Sequence, residues 1–492
     1  MKPAAAVPRA RRAFKIILLG ILLVGSAVQL HVGLADSGDY SRLMVWMTSA
    51  PSVFVENLPA EGTQAHEERF FKHLPMFWKL DFPMTGRWLS SILLVWLPGL
   101  FLNLLLYSHD TLYLPFISVT PRLVVLLFVW LFLRWIDREA ETAAPVLYLV
   151  PGIPLVLIGF NTDYIAYFTS LFQEPASLIG LLLILIASAY YRGKGHSRAR
   201  PWLSMLAVFF MTTAKLSNVH WALVGALLLL PWESLRQRPR RVISYALIIV
   251  ALPVGFSLLQ ATLYHSRIVN AYQSIYCGAL VFSDRPQEHL DRLSMGDGAK
   301  YIGYHAFCDE GIEAMERYRP KMNHRVALDI IAHEPGIAWD MLVFAADSMQ
   351  RSQLTHLSKR VLYNEPGTSR PWSAWLPATA ATATPLSVWT TLKRNIFPRG
   401  YALIIVLVLL ALLPLPLWNA RHRLLSTFAR VTVVLALATL AELWMQVFGD
   451  GQRDLLKHLY LANICFDASL LSFVGALLLL AFSPKARQRL RG

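Results

Sequence analysis

"LSSILLVWLPGLFLNLLLY", residues 89–107, carries no charged side chain over 19 residues. That is close to the roughly 20 apolar residues a helix needs to cross a bilayer. Whether it crosses decides the fold. The basic residues of the chain come in short clusters at 9–15, 192–200, 236–241, 421–423 and 485–491. Such clusters beside apolar segments mark the cytoplasmic side of a membrane. If 89–107 crossed, the 192–200 cluster would face outward. The segment is therefore read as an interfacial or re-entrant helix, its apolar surface broken by Pro98 and Asn103. One alternative stays open: 89–107 crosses, and one of the shorter segments 145–160 and 202–215 does not.

Composition supports the membrane frame. Of the 492 residues 55% are hydrophobic and only 16% are charged, where a soluble chain carries about a quarter charged residues. The formal net charge of +15 raises a nucleic-acid partner and then excludes it. The positive charge lies in clusters flanking apolar segments, as membrane orientation requires. The basic, then apolar, start at 9–34 is read as a retained first span, because acids follow at once and no small-residue cleavage site does.

The expected fold is all-α and polytopic, with about ten transmembrane helices at 14–34, 119–136, 145–160, 174–190, 202–215, 219–234, 242–263, 401–418, 425–447 and 461–482. Both termini then lie in the cytoplasm. Two long segments fall on the outer face: 35–120, which contains the interfacial helix, and 265–400. The domains expected are a seven-span module over 1–263, a long outer loop over 264–400 and a three-span module over 401–492. Within the long loop, 301–318 and 325–349 show helical apolar spacing, and 372–385 (Pro, Ala, Thr) reads as linker.

Polar residues gather at the outer ends of the spans. "ADSGDYSRLM", residues 35–44, places Asp36, Asp39 and Arg42 at a membrane edge. "GFNTDYIAYFTSLFQEP", residues 159–175, holds Asp163, Tyr164 and Glu174 among aromatics. Lys215 sits in a tight turn, "LKRNIFPRG" (392–400) supplies Lys393, Arg394 and Arg399, and "GDGQRDLLKHLYLANICFD" (449–467) supplies Asp454, Lys457, His458 and Asp467. Lysine and arginine on this side oppose the topology bias. A bound anion, such as a lipid phosphate, explains the exception; anchoring to lipid headgroups is the competing explanation.

The order of these parts resembles the GT-C class of membrane glycosyltransferases: one span, an acid-opened outer loop, a membrane-hugging helix, six spans, a long outer loop, more spans. Four stretches are similar to the bacterial hexosyltransferases of S-layer and related surface-glycan biosynthesis. They are "DSGDYSRLM", "TDYIAYFTSLFQEPASL", "YQSIYCGALVFSDRPQEHLDRLSMGD" (272–297) and "GDGQRDLLKHLYLANICFD". The resemblance implies a polyprenyl-phosphate-linked sugar as donor, an acceptor that is a glycan or a lipid-linked glycan, and an active site on the outer face of a bacterial cytoplasmic (inner) membrane. At 39–40 this chain has Asp-Tyr where many GT-C enzymes have two adjacent acids. A divalent metal is therefore left unassigned, and no cofactor is named.

The residues suit that chemistry on their own account. Sugar transfer from a lipid phosphate needs a base for the acceptor hydroxyl and positive charge for the departing phosphate. The chain has neither a G-x-G-x-x-G at a strand–helix turn nor a P-loop, and a lipid-linked donor requires neither. Asp39 is assigned as general base, flanked by Tyr40 and by Arg42, whose charge keeps a carboxylate ionised. Asp36 is the second catalytic candidate, placed with Asp163 to bind substrate hydroxyls. Lys215, Arg394, Arg399 and Lys457 are assigned to phosphate. Tyr164, Glu174, Asp454 and His458 complete the substrate-binding set, while Asp467 reads equally as a packed core polar residue.

Three cysteines exclude a disulfide scaffold. Cys277 and Cys308 share the long outer loop and read either as a pair or as separate thiols; Cys465 reads as packing. Two other functions stay open. An O-antigen-type ligase or polymerase would place its working Arg and His residues in the large loop, where His305, His324 and His333 are available. A flippase or transporter would show repeated halves, and no internal repeat is evident.

Overall fold

The computed structural model describes residues 6–30, 32–34, 40–47, 77–82, 89–140, 144–191, 200–230, 239–263, 267–304, 306–350, 387–452 and 455–491. The 372–385 linker, His305 and the basic residues 192–199 lie outside them.

In chain order the first helices are α1 (Ala6–Val28) and α2 (Tyr40–Met44), followed by a short strand β1 (Phe77–Lys79), α3 (Ile92–Leu106) and β2 (Thr111–Tyr113). Spans and shorter apolar helices come next: α4 (Val119–Glu139), the composite α5 (Ala144–Thr169), α6 (Glu174–Tyr191), α7 (Arg200–Ala214), α8 (Leu216–Leu229) and α9 (Pro239–Leu263). The long middle segment folds as α10 (Arg267–Tyr272), α11 (Pro286–Arg292), α12 (Asp309–Arg317), α13 (His324–His333) and α14 (Gly336–Gln350). The chain continues through α15 (Val388–Ile396), α16 (Gly400–Leu412), α17 (Arg423–Asp450), α18 (Leu455–His458), α19 (Tyr460–Phe482) and α20 (Pro484–Arg491).

Among the described residues six helices are long and apolar enough to cross a membrane: Leu114–Glu139, Ala144–Thr169, Val242–Leu259, Gly400–Leu417, Arg423–Asp450 and Tyr460–Phe482. All six coincide with expected spans. The other four expected spans fall on α1, which carries Arg11, Arg12 and Lys15 in its first half, and on three shorter apolar helices, Glu174–Ala189, Trp202–Ala214 and Leu216–Leu229. The chain is thus a multi-pass, mostly helical membrane protein.

The helix that decides the topology, α3, has 15 residues, about 22 Å at 1.5 Å per residue. That falls short of a hydrocarbon core of about 30 Å. One face packs inward through Ile92, Val95, Trp96 and Leu100, while Leu94, Leu97, Phe101 and Leu105 stay exposed. Its start is tied to the end of α7, where Ser90 Oγ donates to Ala214 O (2.7 Å) and Ser91 Oγ to Phe210 O (2.8 Å). The Ala214 carbonyl lies at the C-terminus of the helix, where backbone carbonyls have no partner within it. Gly99 lets α3 cross the chain at 114–118, since a Cβ there would lie 2.2 Å from Phe116 O.

After α3, one side chain organises the turn. Asn103 Nδ2 donates to Ser108 O (3.1 Å) and Thr111 O (2.9 Å), and its Oδ1 accepts from Tyr113 N (2.8 Å). The strand so formed pairs antiparallel with β1, Trp78 opposite Leu112. This two-stranded ribbon departs from the all-α expectation. Its strands of three residues each are too short to show a period-2 pattern in sequence.

Two hydrophobic cores result. One joins residues between Leu18 and Ile249 to α17 and α19; the other joins the 271–349 segment to α16, α17 and α19. The helices α17 and α19 contribute to both and form the spine. A buried arginine locks the first span to this frame. Arg122 on α4 uses all five guanidinium N–H groups, donating to Ser26 O and Oγ, Gln29 O, Thr169 Oγ1 and Ser118 Oγ at 3.0–3.3 Å. Two acceptors are carbonyls at the end of α1, where the helix dipole favours a cation.

Candidate functional site

Polar side chains from seven elements meet at one end of the bundle, in two clusters. The first begins where α5 breaks. Asn161 leaves helical geometry and caps the next turn, its side chain accepting from Asp163 N at 2.9 Å, which favours that turn by about 1 kcal/mol. Its Nδ2 reaches Thr390 Oγ1 on α15 (2.9 Å). The turn presents Tyr164 inward, where its hydroxyl donates to Asp467 Oδ2 on α19. Lys393, from α15, enters the same space. Its ammonium donates to Asp467 Oδ1 (3.0 Å), Asn463 Oδ1 (2.7 Å) and the Tyr164 hydroxyl (3.2 Å). All three donors are used, and Lys393 is only 3% exposed and Asp467 0%. Asn463 and Asp467 lie four residues apart on α19, hence on one face.

The second cluster sits around Lys215, the residue that opens α8. Its Nζ lies 3.3 Å from Glu174 Oε1, in the first turn of α6, and 2.7 Å from His458 Nδ1 on α18. An ammonium only donates. Nδ1 of His458 therefore accepts, and the ring proton sits on Nε2, which faces Asp450 Oδ2 at 3.4 Å. Four elements thus contribute one line: Glu174, Lys215, His458, Asp450.

An aromatic wall joins the clusters. Tyr460 packs against Tyr167 with ring centroids 4.3 Å apart and planes tilted by 54°, and donates its hydroxyl to Tyr164 O (3.3 Å). Tyr167 leads to Phe172, and Phe172 packs edge-on against Tyr40 (4.9 Å), the residue after Asp39. Lys457 Nζ lies 5.3 Å from the Phe172 ring centroid. The flanks of 35–39 are fixed at this wall: Leu34 N donates to Ser170 Oγ (2.7 Å), and the Tyr40 hydroxyl donates to Leu34 O. Asp36, Asp39, Asp454 and the side chain of Arg42 lie outside the described residues.

The structure therefore brings together Asp163 and Tyr164 in the first cluster, and Glu174, Lys215, Lys457 and His458 in and beside the second. Arg394 and Arg399 are exposed, and Arg399 Nη1 donates to Tyr401 OH (3.0 Å) at the start of α16. Of the three basic residues in 392–400, Lys393 is the one inside the first cluster. Among the described residues no three His, Cys, Asp or Glu side chains converge as metal ligands, and no metal is placed in the site. Cys277 Sγ donates to Tyr304 O (2.9 Å), and Cys465 is buried within α19.

The motifs at 160–174 and 449–467 thus meet in space, spread over the length of the chain. Residues 9–489 match one family along that whole span, described as the YfdI N-terminal transmembrane domain. The chain belongs to the YfdI N-terminal transmembrane domain family. YfdI is a family associated with GT-C-like membrane glycosyltransferases. No curated protein and no solved structure matches the chain.

Sequence reasoning missed three members of this region. Asn463 and Asp450 lie within quoted motifs and looked like ordinary polar residues. Glu442 had a signal that was not used: it is an acid inside an apolar span.

Proposed function

We propose that the protein transfers a sugar, a hexose by the resemblance of its motifs, from a polyprenyl-phosphate donor to a glycan or lipid-linked acceptor. The reaction is placed at the outer face of a bacterial inner membrane, with both termini in the cytoplasm. One observation carries this reading: Lys215 is held between Glu174 and His458, and Lys457 lies over Phe172 of the adjoining aromatic wall, at the same end of the bundle. Positive charge preset at membrane depth suits the phosphate of a lipid-linked donor. Aromatic faces suit the apolar face of a sugar ring.

In this reading Lys215 and Lys457 hold the donor phosphate, and Asp163 and Glu174 orient hydroxyls. Asp39 takes the acceptor proton as its oxygen attacks the anomeric carbon. The bond from that carbon to the phosphate oxygen breaks, and polyprenyl phosphate leaves. Arg394 and Arg399 serve the lipid headgroups at the rim of the site. The ligase reading is favoured less by geometry. His324 Nδ1 lies against Ser274 Oγ (3.0 Å) and His333 Nδ1 against Asp329 O (2.8 Å), so each is engaged locally within the 267–350 segment.

The test is radiolabelled sugar transfer from polyprenyl-phosphate sugars in membranes of a deletion strain, with and without the restored protein. Labelled product is expected only in the restored membranes. Equal labelling in both would sink the reading.

A further inference from the structure

Glu442 lies in α17, two turns below Asp450, and is 0% exposed. Its carboxylate is fully engaged. Oε1 accepts from Trp221 Nε1 (2.6 Å), and Oε2 accepts from Gln446 Nε2 (2.7 Å). The ring of His220 brings Nε2 to 3.0 Å from Oε1, at ion-pair distance rather than in a well-aligned hydrogen bond. On its other side Nδ1 of His220 faces Ser217 O at 2.9 Å. Both ring nitrogens thus face acceptors, the arrangement that suits an imidazolium.

These contacts all bear on one turn. Leu216–His220 is a single tight turn that opens α8, and Lys215 is the residue before it. From one side Glu442 holds His220 and Trp221, and His220 in turn faces the Ser217 carbonyl. Asn218 is fixed from another, its Nδ2 donating to Ser177 Oγ (2.8 Å) and Met211 O (3.2 Å) and its backbone N to Lys215 O (2.9 Å). A buried carboxylate in a membrane span is costly and seldom serves packing alone.

We propose that Glu442 is a positioning residue for Lys215: through His220 and the carbonyl of Ser217 it holds the turn so that the Lys215 ammonium points between Glu174 and His458. This rests on the reading of Lys215 as a ligand of the donor phosphate. Glu442 itself touches no substrate. A cation that grips the phosphate both before and during transfer contributes to donor KM rather than to kcat.

The experiment is a double-mutant cycle on the purified full-length protein, assayed with a polyprenyl-phosphate sugar. Glu442→Gln should raise donor KM about tenfold, the scale of one charge-assisted contact, with kcat within about threefold of wild type. Lys215→Gln should do the same. Lys215→Gln/Glu442→Gln should be no worse than Lys215→Gln alone, because the two act as one unit. If Glu442→Gln does not accumulate, the neutral pair His220→Gln/Glu442→Gln replaces it in the cycle. Effects on KM that multiply in the combined variant overturn the proposal and leave the donor reading standing. An unchanged KM in Glu442→Gln, or a loss confined to kcat, also overturns it. An unchanged donor KM in Lys215→Gln removes the phosphate role and the proposal with it.

Discussion

Lys393 and Asp467 form an ion pair at 3.0 Å inside the bundle, 3% and 0% exposed, with the Tyr164 hydroxyl and the Asn463 side chain completing their hydrogen bonds. Removing one partner strands the other as a buried charge, a loss of about 3–5 kcal/mol. Lys393→Met and Asp467→Leu should therefore each lower the amount of protein in the membrane. The double variant should restore much of it. Restored abundance without sugar transfer would place the pair in the chemistry; restored abundance with full transfer would make it purely structural.

The acidic segment beside Tyr40 supplies a second prediction. Asp39→Asn keeps size and most hydrogen bonding but removes the basic oxygen. Transfer should fall about 10²–10⁴-fold, the usual worth of general-base catalysis, with donor binding kept. Asp36→Asn should do less, since an amide partly replaces a hydrogen bond to a sugar hydroxyl. Steady-state transfer at saturating donor checks both, and a wild-type rate in Asp39→Asn removes it as the base.

The short helix α3 supplies the third. With 15 residues and its start tied to the end of α7, it should lie along the membrane surface. Topology reporters fused after Glu68 and after Tyr107 should report the same compartment. Opposite compartments would make α3 a crossing helix.

A fourth concerns the folded 267–350 segment. Burial would raise the Glu334 carboxyl, but bonds from Ser283 Oγ, the Asp284 N–H and His289 outweigh it and hold the pKa down to about 2. A carboxylate depressed below its unfolded value of about 4.3 stabilises the fold above that pH and loses the effect as pH falls through 2. Glu334→Gln should therefore speed proteolysis of this segment at pH 7, and the gap from wild type should shrink steadily below about pH 4. A gap independent of pH would assign the effect to packing instead.

Much of the frame was legible because spans announce themselves by length and composition. Tyr164, Glu174, Lys215 and His458 were legible for a related reason: each is polar at the end of an apolar run, where burial or function must explain it. Choosing among Lys393, Arg394 and Arg399 was not. Successive helical residues point about 100° apart, so the phase of α15 decides between Lys393 and Arg394, and that phase is set by contacts such as Thr390 with Asn161; Arg399 lies beyond α15, at the cap of α16. The ion pair of His220 with Glu442 spans 222 positions and has no local signature. Arg122 was hidden likewise, because its acceptors are mostly backbone carbonyls and hydroxyls rather than an acid.

In the proposed reaction a lipid phosphate delivers the sugar. The most direct measurement is single-turnover transfer by the purified protein in proteoliposomes, with labelled polyprenyl-phosphate sugar or the matching nucleotide sugar as donor. Product and free polyprenyl phosphate should appear together, in equal amounts, only with the lipid-linked donor, and Lys215→Gln should need more donor to reach the same rate. Transfer from the nucleotide sugar, or consumption of neither donor in the presence of acceptor, would contradict it.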